Sequence, residues 1–336
     1  MNAMKKPTRT PEVIESPAAR SGVPVRVPAA FDDAVVWTAW LYYVDQMNQS
    51  DVAKVLNVSR AKVVNLLQEA RETGVVNIQF RMELASRTSL AQKLAKRFGL
   101  VEALVIPSRG HASLIARLGD AAARVLADQL RPGDVIGVAW GRTVLAAARS
   151  ISLPDRVSPL TVVQVAGSTT ASEDFSPELC TSLLSSRLDA RCVNLLAPAV
   201  LSSAELRDRL MAESMLVRQF EIIRSANRIL FGVGELGAAG TFLKAGFVSS
   251  ETVERYTAKG AVGAIIGRFI GDNGRPIPGE FDDRMIGITL EELKQVPNRI
   301  CVAGGAAKRQ AIRAALLGGY ASHFVTDADT ASKLLS

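Results

Sequence analysis

The chain has 336 residues, a length that suits about two domains, and its 48% hydrophobic and 22% charged residues describe an ordinary globular protein. No window approaches ~18 uninterrupted apolar residues, so no membrane span is expected, and the Lys5, Lys6 and Arg9 region is not followed by the apolar stretch of a secretory signal. Three scattered cysteines, Cys180, Cys192 and Cys301, offer neither an even disulfide set nor a metal-ligand spacing; they read as buried apolar thiols of a reduced cytoplasm.

The net charge of +7 is unevenly spread. Residues 1–100 hold 14 Lys/Arg against 9 Asp/Glu, and the remaining 236 hold 26 against 24. A basic first third points to an anionic partner, since neutralising phosphates supplies most nonspecific nucleic-acid affinity.

Residues 1–30 read as a disordered tail, with repeated prolines in "KKPTRTPEVIESPAARSGVPVRVPAA" and no apolar period. Order is expected from Phe31. "VVWTAWLYYV" puts Trp37, Trp40, Leu41 and Val44 on one helical face. Asn48 can cap a second helix, with Asp51 at its N3 position and Val52, Val55 and Leu56 as its apolar face. "NV" makes a turn. Ser59 caps a third helix whose inner face is Val63, Leu66, Leu67 and Ala70, and Gly74 suits the position just past its end. Arg60, Lys62, Val64, Asn65 and Gln68 are left facing mainly outward. In a helix-turn-helix, the start of the second motif helix enters the major groove. Arg reads guanine there, and Asn or Gln reads adenine, while Arg60 and Lys62 could equally hold phosphates. A small helical bundle with a solvated polar face is the competing reading. "VVNIQF" after the helix predicts a strand, in the position of a wing.

From Ser89 the pattern changes. "SLAQKLAKRFG" and "ASLIARLGDAAARVLADQL" read as helices; "VEALVIP", "DVIGVAW", "LTVVQVAG", "CVNLLAPA", "RILFGVG", "AVGAIIGRFI", "NRICVAGG" and "SHFVTD" read as apolar strands. Strands apolar throughout and separated by helices predict an α/β domain with a doubly wound, largely parallel sheet. The expected boundaries are a tail at 1–30, a DNA-binding domain at 31–85 and an effector domain at 89–336.

Several of these segments carry a resemblance. "LYYVDQMNQSDVAKVLNVSRAKVVNLLQEARETGVVNIQF" resembles the helix-turn-helix of the SorC family of bacterial transcriptional regulators, through its Tyr-Tyr, Gln49, the "VAKVLNVSR" core and the "LL" at 66–67. "GDVIGVAWGRTV", "VVQVAGS", "FGVGELG", "GAVGAIIGRFI", "RMIGITLEEL" and "VAGGAAKRQAIRAALLGGYASHFVTD" are similar to that family's effector-binding domain in order and spacing. The resemblance covers roughly residues 31–336. It implies a domain related to sugar-phosphate isomerases such as ribose-5-phosphate isomerase, a ligand that is commonly a phosphorylated sugar, and assembly commonly as a tetramer.

The effector site is expected at glycine-bearing loops. "GVAWGRTVLAAARS" runs strand, loop, helix: Gly141 frees the turn, and Arg142 and Thr143 open a helix whose unpaired amides favour an anion. "VAGGAAKRQAIRAALLGG" repeats the design with Gly304, Gly305 and Lys308, and the resemblance implies that Lys308 contacts a ligand phosphate. Gly167 and Ser168 end a third strand, and ligands of parallel sheets sit beyond strand C-termini. The competing reading is that these glycines only make tight turns. One departure matters: the family resemblance implies an acidic residue, hydrogen-bonding sugar hydroxyls, where this chain has Ala264. Asp272 or another acid is expected to replace it. Gly232, Gly234 and Gly237 form G-x-G-x-x-G, but "AAGTFLKAG" is a poor helix start, so no dinucleotide is expected.

The sequence thus predicts a cytoplasmic regulator of a carbohydrate or polyol operon, binding double-stranded operator DNA and a small sugar, polyol or sugar-phosphate effector as a homo-oligomer. No cofactor, metal or catalytic residue is expected. The alternative is a sugar-phosphate isomerase-like enzyme with a DNA-binding appendage, which needs an acid–base pair. His111 and His323 read as exposed or structural, and Asp282-Asp283 as a solvated loop.

Overall fold

The computed structural model describes residues 27–28, 31, 33–76, 88–153, 156–169, 175–237, 240–244 and 246–336. The chain divides into two compact units, Met1–Phe80 and Arg81–Ser336.

In the first unit, α1 (Ala34–Ala39) starts on Asp33, whose carboxylate accepts from the Val35 amide at 2.7 Å. It runs straight into a π-helical turn, Trp40–Val44. The wider turn rotates the side chains that follow it. The expected face of Trp37, Trp40, Leu41 and Val44 is therefore broken: Leu41 is buried, while Trp40 and Val44 are 45% and 56% exposed. Ala34, Val35, Thr38 and Ala39 turn inward instead. Val27, inside the segment read as a tail, packs with Ala34 and Val35, so order begins earlier than expected.

α2 (Gln49–Leu56) is capped by the Asn48 side chain, which accepts from the Ser50 and Asp51 amides, and it ends on Asn57 in the left-handed region. α3 (Arg60–Glu72) is capped by Ser59, which accepts from the Lys62 amide. Val52, Leu56, Val63 and Leu67 close one small core with Leu41, and Leu66 and Ala70 close another with α1. This is the helix-turn-helix that the caps predicted. Val75 and Val76 lie in bends, and the rest of the expected strand "VVNIQF" lies outside the described residues.

The second unit runs α4 (Ser89–Phe98), β1 (Glu102–Ile106), α5 (Leu114–Gln129), β2 (Val135–Val138), α6 (Arg142–Ser150), β3 (Thr161–Gln164), α7 (Pro177–Arg187), β4 (Arg191–Val193), α8 (Ala204–Met211), α9 (Ser214–Arg224), β5 (Arg228–Phe231) and β6 (Val233–Gly234). It continues α10 (Thr241–Lys244), α11 (Ser250–Ala258), β7 (Ala261–Ile265), β8 (Arg268–Gly271), α12 (Glu280–Asp283), α13 (Leu290–Gln295), β9 (Asn298–Val302), α14 (Arg309–Leu317), β10 (His323–Asp327) and α15 (Ala328–Leu335). A seven-stranded sheet has the order β1-β10-β9-β5-β2-β3-β4, with every described pair parallel.

Each strand feeds two cores, because successive side chains point to opposite faces. Leu230, Ile300 and Val302 join Leu118, Leu126, Val144 and Leu145 of α5 and α6. Ile229, Phe231 and Cys301 join Phe220 of α9, Ile312 of α14 and Leu334 of α15. Both faces are covered, which is why the strands carry no polar alternation.

"AVGAIIGRFI" departs from the expected single strand. It folds as an antiparallel hairpin, β7–β8, that pairs with β6 in a separate three-stranded sheet. Ile266 and Gly267, with φ of 50° and 84°, form the two-residue turn. Two of the cysteines are as expected: burial pushes the Cys180 and Cys301 thiols up to about 12. Cys192, on the edge strand β4, is exposed instead.

At the opposite end of the sheet from the strand C-termini, Asp134 and Arg228 begin β2 and β5 as a buried pair at 2.6 Å. Asp134 also accepts from the Arg131 amide and from Asn227 Nδ2. Burial pushes this carboxyl up, but the hydrogen bonds outweigh it and hold Asp134 below the ordinary carboxylate value. Asp134→Ala leaves the Arg228 guanidinium buried alone and is expected to lower unfolding stability by about 3–5 kcal/mol. Because the folded pKa is depressed, the ionic share is fully present above the unfolded value of about 3.9 and is lost as pH falls through the folded one. Urea unfolding of both proteins should show the difference at pH 7 and its shrinkage below pH 4; an equal difference at both would refute the ionic account.

Candidate functional site

In the first unit, Arg60, Val64, Asn65 and Gln68 form an exposed stripe along α3, joined by Ala61, which residue chemistry gave no reason to name. Lys62 is half-buried. Gln49 at the start of α2 accepts from Arg60 Nε at 3.2 Å, so the two helix N-termini are tied by side chains facing solvent. An open depression beside them is lined by Tyr42, Gln46, Asn48, Gln49 and Arg60. Ser59 commits its hydroxyl to capping α3. Gln68 donates to Glu72 at 2.8 Å, and with Glu69 this makes the far end of the stripe acidic. The basic, amide-bearing end is therefore the N-terminal one, the end that fits between phosphates.

In the second unit the strand order reverses between β2 and β5. From β2 the chain steps outward to β3 and β4; from β5 the sheet continues to β9 and β10. Loops leaving such neighbours diverge and open a crevice at their carboxyl ends. A cleft lies there, lined by Ala139 to Val144 after β2, Gly232 to Gly234 after β5, and Lys308 after β9. Trp140, Phe242, Ala264, Ile266 and Gly267 supply an apolar wall. Trp140 stacks on Phe247 at 4.1 Å. Ile266 holds a positive φ that a β-branched residue rarely adopts, and it does so at the cleft.

Among the described residues, the polar side chains that reach the cleft include Arg142, Thr143 and Lys308. α6 begins on Gly141 at φ 118° with no side-chain cap, so its first-turn amides lack intrahelical acceptors. Lys308 ends a 3-10 turn, Ala306–Lys308, that leads into α14. Burial pulls the Lys308 ammonium below the ordinary lysine value; Glu235 opposes that shift, and Arg142 adds to it. Two cations and free amides facing an apolar wall suit a ligand with one anionic end.

The expected site residues divide. Gly141, Arg142, Thr143 and Lys308 line one cleft. Gly304 and Gly305 do not. The Gly305 amide donates to Asp327 Oδ2 and Thr330 Oγ1, at 3.2 and 2.9 Å, so it is spent inside the protein. Gly304 passes so close to Asp327 that a Cβ would come within 2.5 Å of Oδ2. These glycines shape the turn that presents Lys308. Gly167 and Ser168 also fall outside the cleft. Gly167 abuts the Ala199 backbone, where a Cβ would meet Cα at 2.6 Å, and Ser168 pairs with Pro198 and accepts from buried Gln164. Their strand, β3, lies outboard of the reversal. Asp272 is exposed in the turn after β8 and does not line the cleft.

Glu235, not singled out from the sequence, follows Gly234, whose pairing with Ala264 forms part of the cleft wall. Asp282 was also misread. It is half-buried against Arg268 at 3.4 Å, and burial raises its carboxyl to about 6 despite that partner. Arg268 additionally donates to the Ile288 carbonyl, which pins the hairpin from behind. His323 is buried beside Ser322, and His111 is exposed; neither lines the cleft.

The family model described as "Putative sugar-binding domain" matches residues 83–336. The transcriptional regulator YjhU of Escherichia coli (strain K12) is 33% identical over 312 residues, covering 91% of this chain and 95% of that protein. The transcriptional regulator LsrR of Klebsiella pneumoniae is likewise 33% identical over 312 residues, covering 91% and 94%. The crystal structure of the full-length sorbitol operon regulator SorC from Klebsiella pneumoniae matches with a TM-score of 0.72 and 28% identity, covering 90% of this chain and 98% of that one. These similar proteins are regulators, not enzymes, which removes the isomerase-like alternative. A sugar-binding domain matched over the second unit, and regulators matched along nine-tenths of the chain, establish that this protein belongs to the SorC family of transcriptional regulators.

Proposed function

We propose that this regulator binds double-stranded operator DNA through the N-terminal end of α3 and releases or retains it according to a small sugar or polyol phosphate held in the cleft. The observation that carries the reading is Lys308, a half-buried ammonium that has no ion-pair partner among the described residues and is turned into a cleft with Arg142 and Thr143. A buried cation without a counter-ion is costly unless a ligand supplies one. Thr143 and the α6 amides add donors for a phosphate.

On the DNA side, Asn65 and Gln68 read bases, Arg60 reads a guanine or holds a phosphate, and Lys62 and Gln49 hold the backbone. Val64 makes an apolar contact in the groove, and Ser59 positions α3 through its cap. Pairs of such helices require at least two copies of the chain, in keeping with the tetramer that the family resemblance implies. Operator DNA as partner implies a cytoplasmic protein. The proposed division is a DNA-binding domain over 31–85 and an effector domain over 89–336, a reading supported by the two compact units that meet at Phe80 and Arg81.

Asn65→Ala is expected to weaken operator binding by about 1–3 kcal/mol and to relax preference at one base pair. Lys62→Ala should weaken all sequences alike and reduce the salt slope by about one. Fluorescence anisotropy across salt concentrations separates the two; identical behaviour would contradict the assigned roles. Lys308→Ala should lose at least about tenfold in sugar-phosphate affinity, the scale of a hydrogen bond to a charged group, with operator affinity unchanged. Retained effector response in that variant would sink the anchor assignment. Ligand and operator should also be coupled by about 1–3 kcal/mol, reciprocally. Titrations of ligand with and without operator must then differ, and equal affinities would end the allosteric account.

A further inference from the structure

We propose that Glu235 is the hydroxyl-selecting residue of the cleft, its carboxylate accepting O–H donors from the sugar or polyol part of a ligand whose anionic end rests on Lys308. This rests on the reading of the cleft as an anion site and adds the chemistry of the ligand's other end.

Glu235 follows β6, whose Gly234 is paired with Ala264 of β7. Gly234 and Ala264 both line the cleft, so the chain enters Glu235 directly from its wall. Glu235 Oε2 is buried and accepts no hydrogen bond. The carboxylate is close enough to oppose the burial-driven shift of Lys308, yet no ion pair within 4 Å joins the two. If Glu235 served only as the counter-ion of Lys308, that oxygen would be used. Instead Glu235 Oε2 stays without a partner, and Lys308 forms no ion pair among the described residues.

A buried carboxylate oxygen that has given up water without a replacement is destabilising, and such atoms ask for an explanation. The missing partner has to be a donor. An ionised carboxylate only accepts, and so does a fully ionised phosphate, so the two repel. A hydroxyl donates and accepts. Trp140, on the same wall, holds the complementary orphan: its indole N–H is buried without an acceptor. One orphan acceptor and one orphan donor suit a polyhydroxylated ligand better than a bare anion or an apolar one. None of the described residues lining the cleft is itself a carboxylate, and Glu235 is the acid whose charge bears on Lys308.

The test is isothermal titration of the full chain, as wild type and as Glu235→Gln, with inorganic phosphate and with a panel of four- to six-carbon polyol and sugar phosphates. At least one ester is expected to bind wild type more tightly than inorganic phosphate does. Glu235→Gln should weaken that ester at least about tenfold. It should leave inorganic phosphate unchanged or tighter, since a repelling charge is gone, and that retained binding also reports a folded variant. Equal loss for ester and phosphate would make Glu235 a mere support for Lys308 and overturn the proposal. So would an ester affinity that does not change, or a panel in which no ester outbinds inorganic phosphate. Phosphate failing to bind wild type, with Lys308→Ala binding the esters as well as wild type does, would remove the anion reading itself and this assignment with it.

Discussion

Two adjacent parallel strands whose chains depart in opposite directions cannot cover the gap at their own carboxyl ends. β2 and β5 are that pair. The loop after β2 turns at Gly141 into α6, and the loop after β5 turns at Gly232 into β6. The room between them admits the Ile266-Gly267 hairpin tip from one side and Lys308 from another. Arg142 and Thr143 stand on the β2 side of this reversal, and Lys308 comes from the loop after β9, the next strand beyond β5. Loops from strands further out, such as Gly167-Ser168 after β3, are instead consumed in joining the sheet to neighbouring segments.

Electrostatics at the cleft is set by what surrounds the charges more than by their number. Lys308 emerges behind a glycine pair that is itself tied down. Asp327 accepts from the Gly305 amide, from both the amide and hydroxyl of Thr330, and from Ser108. Those four donors outweigh burial and hold its carboxyl below the ordinary range. Asp327 is thus fully satisfied and fixes the turn, while Lys308 at the cleft has no ion-pair partner among the described residues. Satisfied polar groups build the frame and leave that cation to the cleft.

Much of this was legible in the sequence. Caps at Asn48 and Ser59, the turn at Asn57-Val58 and, Val55 excepted, the periodic apolar residues of α2 and α3 are local signals, and local physics decided them. The doubly wound sheet was legible because strands buried on both faces have no polar alternation to hide them. What escaped depends on distant partners. The π turn at Trp40–Val44 rotated a face that simple periodicity had assigned. The β7–β8 hairpin looked like one strand because both of its arms are apolar and its turn carries an isoleucine where Asn or Asp is the usual signal. Of the loop residues, Gly141, Arg142, Thr143 and Lys308 line the cleft, while Gly167 and Ser168 lie away from it because strand order, which decides whose loops meet, is not a local property.

A fold decides neither catalysis nor sensing, so the difference has to lie in the site. An enzyme gains rate only from contacts that strengthen in the transition state. That requires a proton donor and acceptor poised at one reacting atom. Here the cations stand with Thr143 and the free amides of α6, a set that holds a stable anion rather than one developing during reaction. Such contacts bind the ground state and the transition state alike, which is useless for turnover. For a regulator it is the useful property, because the full binding free energy is available to shift a conformational equilibrium.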